Sequence, residues 1–301
     1  MFGGKLIGYH SFKTLNKICV DLARREKHFK FVRIVRFYDS RLLISERADS
    51  VRSGGAALGS LNVFRVFSGE YSAFEKIYRK DAVEWLRCRF FYENVLPQLE
   101  GSPLKIPRLL KAVEGDRLLL AHFELVLINT LTRHEYLSLA YKVICSLRLQ
   151  ALSVRSEDRW LCDWQGTTFF ADRASKSRKF LVLEGLSIEP FERLMNFAEK
   201  LPRFVSHGDL NRSNVAGANL VYDWDCFGYF PPGFDVALVV ALCLDEDRVI
   251  TEEVEAFVSM THAGLEAILS FADYRYHVLF LALLMTSRKS AKLALYHQIF
   301  A

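Results

Sequence analysis

At 301 residues the chain is long enough for a sizeable core and two lobes, but not for many independent domains. With 51% apolar and 13% aromatic residues, global disorder is excluded, and a formal net charge of +5 without any nucleic-acid-binding motif gives no reason to expect a nucleic-acid partner. Six cysteines without a CxxC pair read as reduced, buried thiols rather than a disulfide framework or a zinc site.

The charge is uneven. Residues 1–50 carry 11 Lys/Arg against 5 Asp/Glu, so this segment alone is +6 and the remainder is close to neutral. It reads as a basic N-terminal extension or the start of a first lobe. Its solvated charge also suits contact with an anionic glycan or the surface of a membrane. The opening residues lack a continuous apolar stretch of signal-peptide type, and "VALVVALCL" and "FLALLM" are too short to span a bilayer. A cytoplasmic protein is the expectation.

In chain order, "KTLNKICVDLARREKHFK" has helical spacing and "FVRIVRFYDSRLLIS" the alternation of strands. "VRSGGAALGSLN" reads as a small-residue loop. "NVFRVFSG" and "YSAFEKIYR" follow as two strands of a hairpin around Ser68, Gly69 and Glu70. Residues 81–95 have helical periodicity, and Pro97, Gly101, Pro103 and Pro107 then break it. "AVEGDRLLLAHFE" closes the strand-rich half as a strand pair. From about residue 130 the pattern turns helical: "RHEYLSLAYKVICSLRLQAL", "EPFERLMNFAEKL", 234–244, 251–270, and one or two helices from 273 onward. The organisation expected is α+β, with a strand-rich lobe over 51–127 and a mostly helical lobe over 128–301.

That chemistry lies in "HGDLNRSNVAGANLVYDWD", residues 207–225. Asp209 precedes Asn214 by five positions, and a hairpin turning at Gly217, Ala218 and Asn219 delivers Asp223 from a short apolar strand. A carboxylate plus an amide oxygen suits Mg²⁺, a hard cation helped by substrate phosphates. A further carboxylate, Asp209, is placed to orient a hydroxyl and take its proton.

"HGDLNRSN", "VYDWD" and "GYFPPGFDVA" together resemble the aminoglycoside phosphotransferase and choline kinase superfamily, relatives of the protein kinases. The resemblance is specific over 205–237 and weaker over roughly 55–270. It implies a two-lobed protein-kinase-like fold and an ATP- and Mg²⁺-dependent transfer of the γ-phosphoryl group to a small hydroxyl-bearing molecule. The acceptor classes are an amino alcohol, an aminoglycoside, a sugar, or a glycan or lipid headgroup. Asp209 takes the role of catalytic base, Asn214 and Asp223 hold the metal, Asp235 braces the catalytic loop, and His207 packs beneath it. Asp225 either lies near the metal or caps the segment after Trp224. One departure is the eight residues between Asn214 and Asp223, fewer than the family usually has.

For the nucleotide phosphates the family requires a lysine from the strand lobe. Lys76 fits, inside an apolar strand with Tyr78 on its face; Lys80 is the alternative. Its carboxylate partner is assigned to Glu84, one turn into the following helix, with Glu93 a later option. Ser60 and Asn62, after Gly54, Gly55 and Gly59, offer donors to the phosphates, although the segment matches neither GxxxxGK[ST] nor GxGxxG cleanly. Without a carboxylate for Lys76, the alternative is a pseudokinase that binds nucleotide without turnover. The acidic run Asp245, Glu246, Asp247, Glu252, Glu253 and Glu255 reads as a solvated helix start or as steering for a cationic acceptor.

Overall fold

The computed structural model describes residues 39, 50–53, 60–67, 72–126, 129–149, 160–164, 168–217, 219–247 and 249–300. Two compact units divide the chain: residues up to Arg89 with Pro107–Leu127, and Phe90–Ile106 with Ile128–Ala301. Strands dominate the first unit and helices the second, which is the α+β, two-lobed organisation of a protein-kinase-like fold. The readings made for 1–38, 40–49, Gly54, Gly55, Gly59 and 68–70 lie outside the described residues.

In the first unit β1 (Ser50–Ser53), β2 (Ser60–Phe67), β3 (Ala73–Arg79), β4 (Leu109–Glu114) and β5 (Leu118–Glu124) form an antiparallel sheet in the order β1-β2-β3-β5-β4. Strand alternation sends Glu75 and Lys76 to opposite faces. On the Glu75 face the cross-strand partners Arg65, Glu75 and His122 fall in one row, and the Glu75 carboxylate binds both the Arg65 guanidinium and His122 Nε2, the latter at 2.9 Å. All three are buried, so the carboxylate is paired on each side rather than left as an isolated charge. Buried Asp39 accepts the N–H groups of Arg117 and Leu118 at 2.7 and 2.9 Å, fixing the turn between β4 and β5.

The helix expected over 81–95 begins as α1 (Val83–Phe90), loosens into one π-helical turn at Phe91–Val95, and tightens to a 3₁₀ turn at Leu96–Leu99 carrying Pro97. The sequence reading left residues 90–106 in the first lobe; the structure packs them with the second unit. The cause is aromatic: Phe91 stacks on Trp224 at 3.6 Å between centroids and 7° between planes, and Phe90 stacks on Phe227.

The second unit contains α2 (Arg133–Arg148), α3 (Thr168–Leu183), α4 (Glu189–Lys200), α5 (Phe234–Asp247), α6 (Glu252–His262), α7 (Phe271–Met285) and α8 (Lys289–Phe300). α5 and α7 hold the two apolar runs and are buried on nearly every side. Among the described residues no helix is long and apolar enough to cross a membrane. The helix expected over 251–270 stops at His262, because Gly264 takes φ +84 and Ser270 then caps the next helix through the Asp273 N–H. α3 went unread in the sequence. Its buried positions include Phe170, Ala174, Ser177, Phe180 and Leu181, and a serine in the middle of the stripe hides the helical period.

Candidate active site

The loop bearing Asp209 leaves β6 (Phe204–Ser206), which pairs with β9 (Gly228–Phe230). Three groups fix its start. Asp235, in the first turn of α5, is buried, and its carboxylate accepts the N–H of His207 at 2.8 Å and of Gly208 at 2.9 Å. Burial raises its pKa to about 6, against the two N–H bonds that favour the ionised form. Gly208 has φ +81, and a Cβ there would lie 2.0 Å from the Cys226 carbonyl oxygen, so only glycine fits. The His207 ring tilts against Trp224 at 4.4 Å, and its Nε2 lies 3.1 Å from the Tyr222 carbonyl. Nδ1 accepts the Asp209 N–H, which leaves Nε2 as the protonated nitrogen donating to Tyr222. Burial pushes this imidazole down to about 4, so it is neutral near pH 7 with both nitrogens engaged. The sequence assigned it to loop support, and these are the bonds through which it touches the loop.

Asp209 itself is half-buried. Its Oδ1 accepts Asn211 Nδ2 at 2.9 Å and its Oδ2 accepts Asn214 Nδ2 at 3.0 Å, so two side-chain amides set the plane of the carboxylate. Asn211 also caps the following 3₁₀ turn through the Ser213 N–H. Tyr136, buried on α2, donates its hydroxyl to the Leu210 carbonyl at 2.8 Å. Asn214 is only 5% exposed, and its Nδ2 also reaches the Asp209 carbonyl at 2.9 Å. With the amide nitrogen turned to Asp209, the Oδ1 of Asn214 accepts no hydrogen bond from the described residues.

From Asn214 the chain enters β7 (Val215–Ala216) and returns as β8 (Leu220–Val221); the turn expected at Ala218 lies outside the described residues. The Tyr222 N–H donates to the Asn214 carbonyl at 3.0 Å, so Asp223 directly follows the residue that closes the ladder against Asn214. Asp223 takes φ +66, ψ +65, a left-handed conformation that few residues other than glycine, asparagine and aspartate tolerate. Asp225 is buried in the 3₁₀ turn behind it. The unused amide oxygen of Asn214 and the carboxylate of Asp223 are the hard oxygen donors Mg²⁺ selects, so these residues fit that ion. Among the described residues no cluster of three His, Cys, Asp or Glu side chains forms a metal site.

In the first unit, Lys76 lies in β3, only 5% exposed, with its Nζ 5.2 Å from the centroid of the Tyr78 ring. Glu84 is half-buried in the first turn of α1, and no salt bridge joins it to Lys76. Lys80 is exposed and pairs with Glu114 at 3.3 Å. Glu93 is exposed in the π-helical turn. The backbones of Ser60 and Asn62 lie in β2 rather than in a loop. Strand β2 pairs antiparallel with β1.

Four of the six residues of the acidic run make ion pairs within the chain. Glu246 binds Arg212 at 3.1 Å, Glu253 binds Arg133 at 3.3 Å, Asp247 also binds Arg133, and Glu255 pairs with Arg275. Asp245 accepts the N–H groups of Ser287 and Arg288 at the start of α8. Sequence reasoning missed Asn211 and Tyr136. Asn211 stood two residues after Asp209 at the spacing of a side-chain bond to it, whereas nothing local to Tyr136 points to a carbonyl 74 residues away.

Solved structures similar in chain trace include an aminoglycoside-3'-phosphotransferase of type VIII, at 20% identity over 82% of this chain and 97% of that one, with a TM-score of 0.44. An aminoglycoside phosphotransferase from Alicyclobacillus acidocaldarius is 13% identical over 86% and 92%, with a TM-score of 0.47. LicA in complex with AMP is 15% identical over 89% and 96%, also at 0.47. No protein-family model and no curated protein sequence matches the chain.

Proposed function

We propose that the chain is an ATP- and Mg²⁺-dependent phosphotransferase that moves the γ-phosphoryl group to a hydroxyl of a small molecule. The acceptor classes are those the sequence resemblance implies: an amino alcohol, an aminoglycoside, a sugar, or a glycan or lipid headgroup. The observation that carries this reading is the grip on Asp209. Two amides hold its carboxylate, a buried aspartate and a buried histidine hold the backbone behind it, and one of the gripping amides keeps a hard oxygen unused.

Bound Mg²⁺ and ATP would supply an electrophilic phosphorus whose charge is already neutralised. Asp209 orients the acceptor hydroxyl and takes its proton as the acceptor oxygen bonds phosphorus and the bond to ADP breaks. Asn214, through Oδ1, and Asp223, through its carboxylate, are the residues that would hold the metal. Lys76 is assigned to the nucleotide phosphates. A cytoplasmic location, the default expectation from the sequence, and contact of residues 1–50 with an anionic glycan or membrane surface, on their charge, belong to the same proposal.

The test is an ATP-consumption screen against amines, sugars and glycan precursors, with the phosphorylated product identified by mass. Asp209→Asn keeps the side-chain shape, gives up one of the two amide contacts because its Nδ2 cannot accept, and cannot take a proton; it should bind nucleotide and lose at least about 100-fold in transfer. Equal turnover in that variant defeats the proposal. The runner-up reading is a nucleotide-binding pseudokinase, in which the loop around Asp209 is held but no acceptor is phosphorylated. Tight ATP binding without any phosphorylated product across the panel would select it.

A further inference from the structure

Eight residues separate Asn214 from Asp223, and they make a hairpin whose strands are two residues each, Val215 opposite Val221 and Ala216 opposite Leu220. A ladder that short does not hold its own register in water. Other parts of the second unit hold it instead. The Lys105 N–H donates to the Asn219 carbonyl and the Val221 N–H to the Lys105 carbonyl, each at 2.9 Å, and the Gly217 N–H reaches the Asn129 carbonyl at 3.4 Å. The side-chain contact is at the turn. Asn219 takes φ +62, and its Oδ1 accepts Lys142 Nζ from α2 at 3.1 Å.

Asparagine and glycine both tolerate the left-handed backbone that this position takes. Asparagine brings what glycine lacks, an oxygen for a charged donor 77 residues away on a rigid helix. A one-residue slip of the hairpin would reverse the face on which Asp223 emerges relative to Asn214.

We propose that Asn219 and Lys142 are positioning residues for the divalent-cation site: the lysine pins the turn, the pinned turn fixes the hairpin register, and the register sets Asp223 against Asn214. The inference rests on the phosphotransferase reading and adds to it the pair that aligns the two metal-binding side chains.

The test compares the full chain with Asn219→Gly, which keeps the backbone conformation and removes the oxygen, and with Lys142→Met, which keeps the apolar stem and removes the charge. Mg²⁺ is titrated in the presence of a non-hydrolysable ATP analogue and followed by tryptophan fluorescence, since Trp224 directly follows Asp223; turnover against Mg²⁺ is measured in parallel. In each variant the half-saturating Mg²⁺ concentration should rise about 10-fold, as for other residues that orient metal ligands, with turnover kept at saturating Mg²⁺. The double variant should be no worse than either single one, because both remove the same contact. A normal Mg²⁺ response in wild type and an unchanged midpoint in either variant overturns the positioning role alone. A wild-type chain that responds to neither Mg²⁺ nor nucleotide overturns the phosphotransferase reading, and this inference with it. Loss of the folded state in both variants overturns it too, by making the contact a requirement of folding.

Discussion

Tyr136 and Gly208 act on the catalytic loop in opposite ways, one by a bond and the other by an absence. The Tyr136 hydroxyl is the donor to the carbonyl of Leu210, next to Asp209, and burial pushes its own pKa up, so it stays protonated as a donor. Tyr136→Phe keeps the ring and leaves a buried carbonyl short of a partner. It should cost about 1–2 kcal/mol in urea denaturation and lower turnover more than nucleotide affinity. An unchanged turnover would show that the loop holds its place without the tyrosine. At Gly208 the space for a side chain is filled by the Cys226 carbonyl and the Phe230 ring. Because backbone cannot give way as a flexible side chain does, Gly208→Ala should destabilise the second unit by about 4 kcal/mol or more, read as a lost or shifted unfolding transition.

The elements show where local sequence decides structure and where it does not. α2 starts at a capping box, Thr132 accepting the Glu135 N–H while the Glu135 carboxylate accepts the Thr132 N–H at 2.8 Å. Thr132→Ala should cost about 1 kcal/mol, and a thermal melt unchanged from wild type would contradict the cap's contribution. Such signals were readable: the alternation of β2 and β3, the apolar runs of α5 and α7, and the Asp209, Asn214 and Asp223 spacing each express a period or a motif within twenty residues. What was not readable depended on distant partners. α3 buries Ser177 because its hydroxyl serves the Leu284 carbonyl at the end of α7, where Lys292 and Arg173 also donate to the last carbonyls. A serine and a lysine in buried positions look like surface residues until the helix end they satisfy is known. The same holds for residues 90–106, whose strand-lobe neighbours in sequence said nothing of Trp224. The site divides likewise. Its carboxylates and amide were legible from spacing, while the grip of Asp235 on two N–H groups 27 and 28 residues away became a geometry only in the fold.

For the molecule as a whole, the buried titratable groups set a pH dependence with a testable sign. Asp235 is raised to about 6 from 3.8, so the folded chain holds a proton the unfolded one has released, and its contribution to stability falls as pH rises from about 4 to 6. His207 and His277 are both lowered to about 4 from 6.5, mainly by burial, so the unfolded chain binds two protons that the folded one does not, and stability rises over the same interval. Two protons against one leave a net of one: stability should climb by about 1.4 kcal/mol per pH unit between 4.5 and 5.5. Asp245 and the other carboxylates held low act at or below the ordinary carboxylate range, and Lys292, lowered to about 8, acts only in alkali. All three groups belong to the second unit, as do Trp160, Trp164 and Trp224 of the four tryptophans, so tryptophan fluorescence during urea unfolding reports the transition that matters. Asp235→Asn removes the opposing proton. Whatever stability it loses from the catalytic loop, its slope with pH over that interval should double. An equal slope in wild type and variant would mean that Asp235 is already ionised at pH 4.5, with its two N–H bonds outweighing burial.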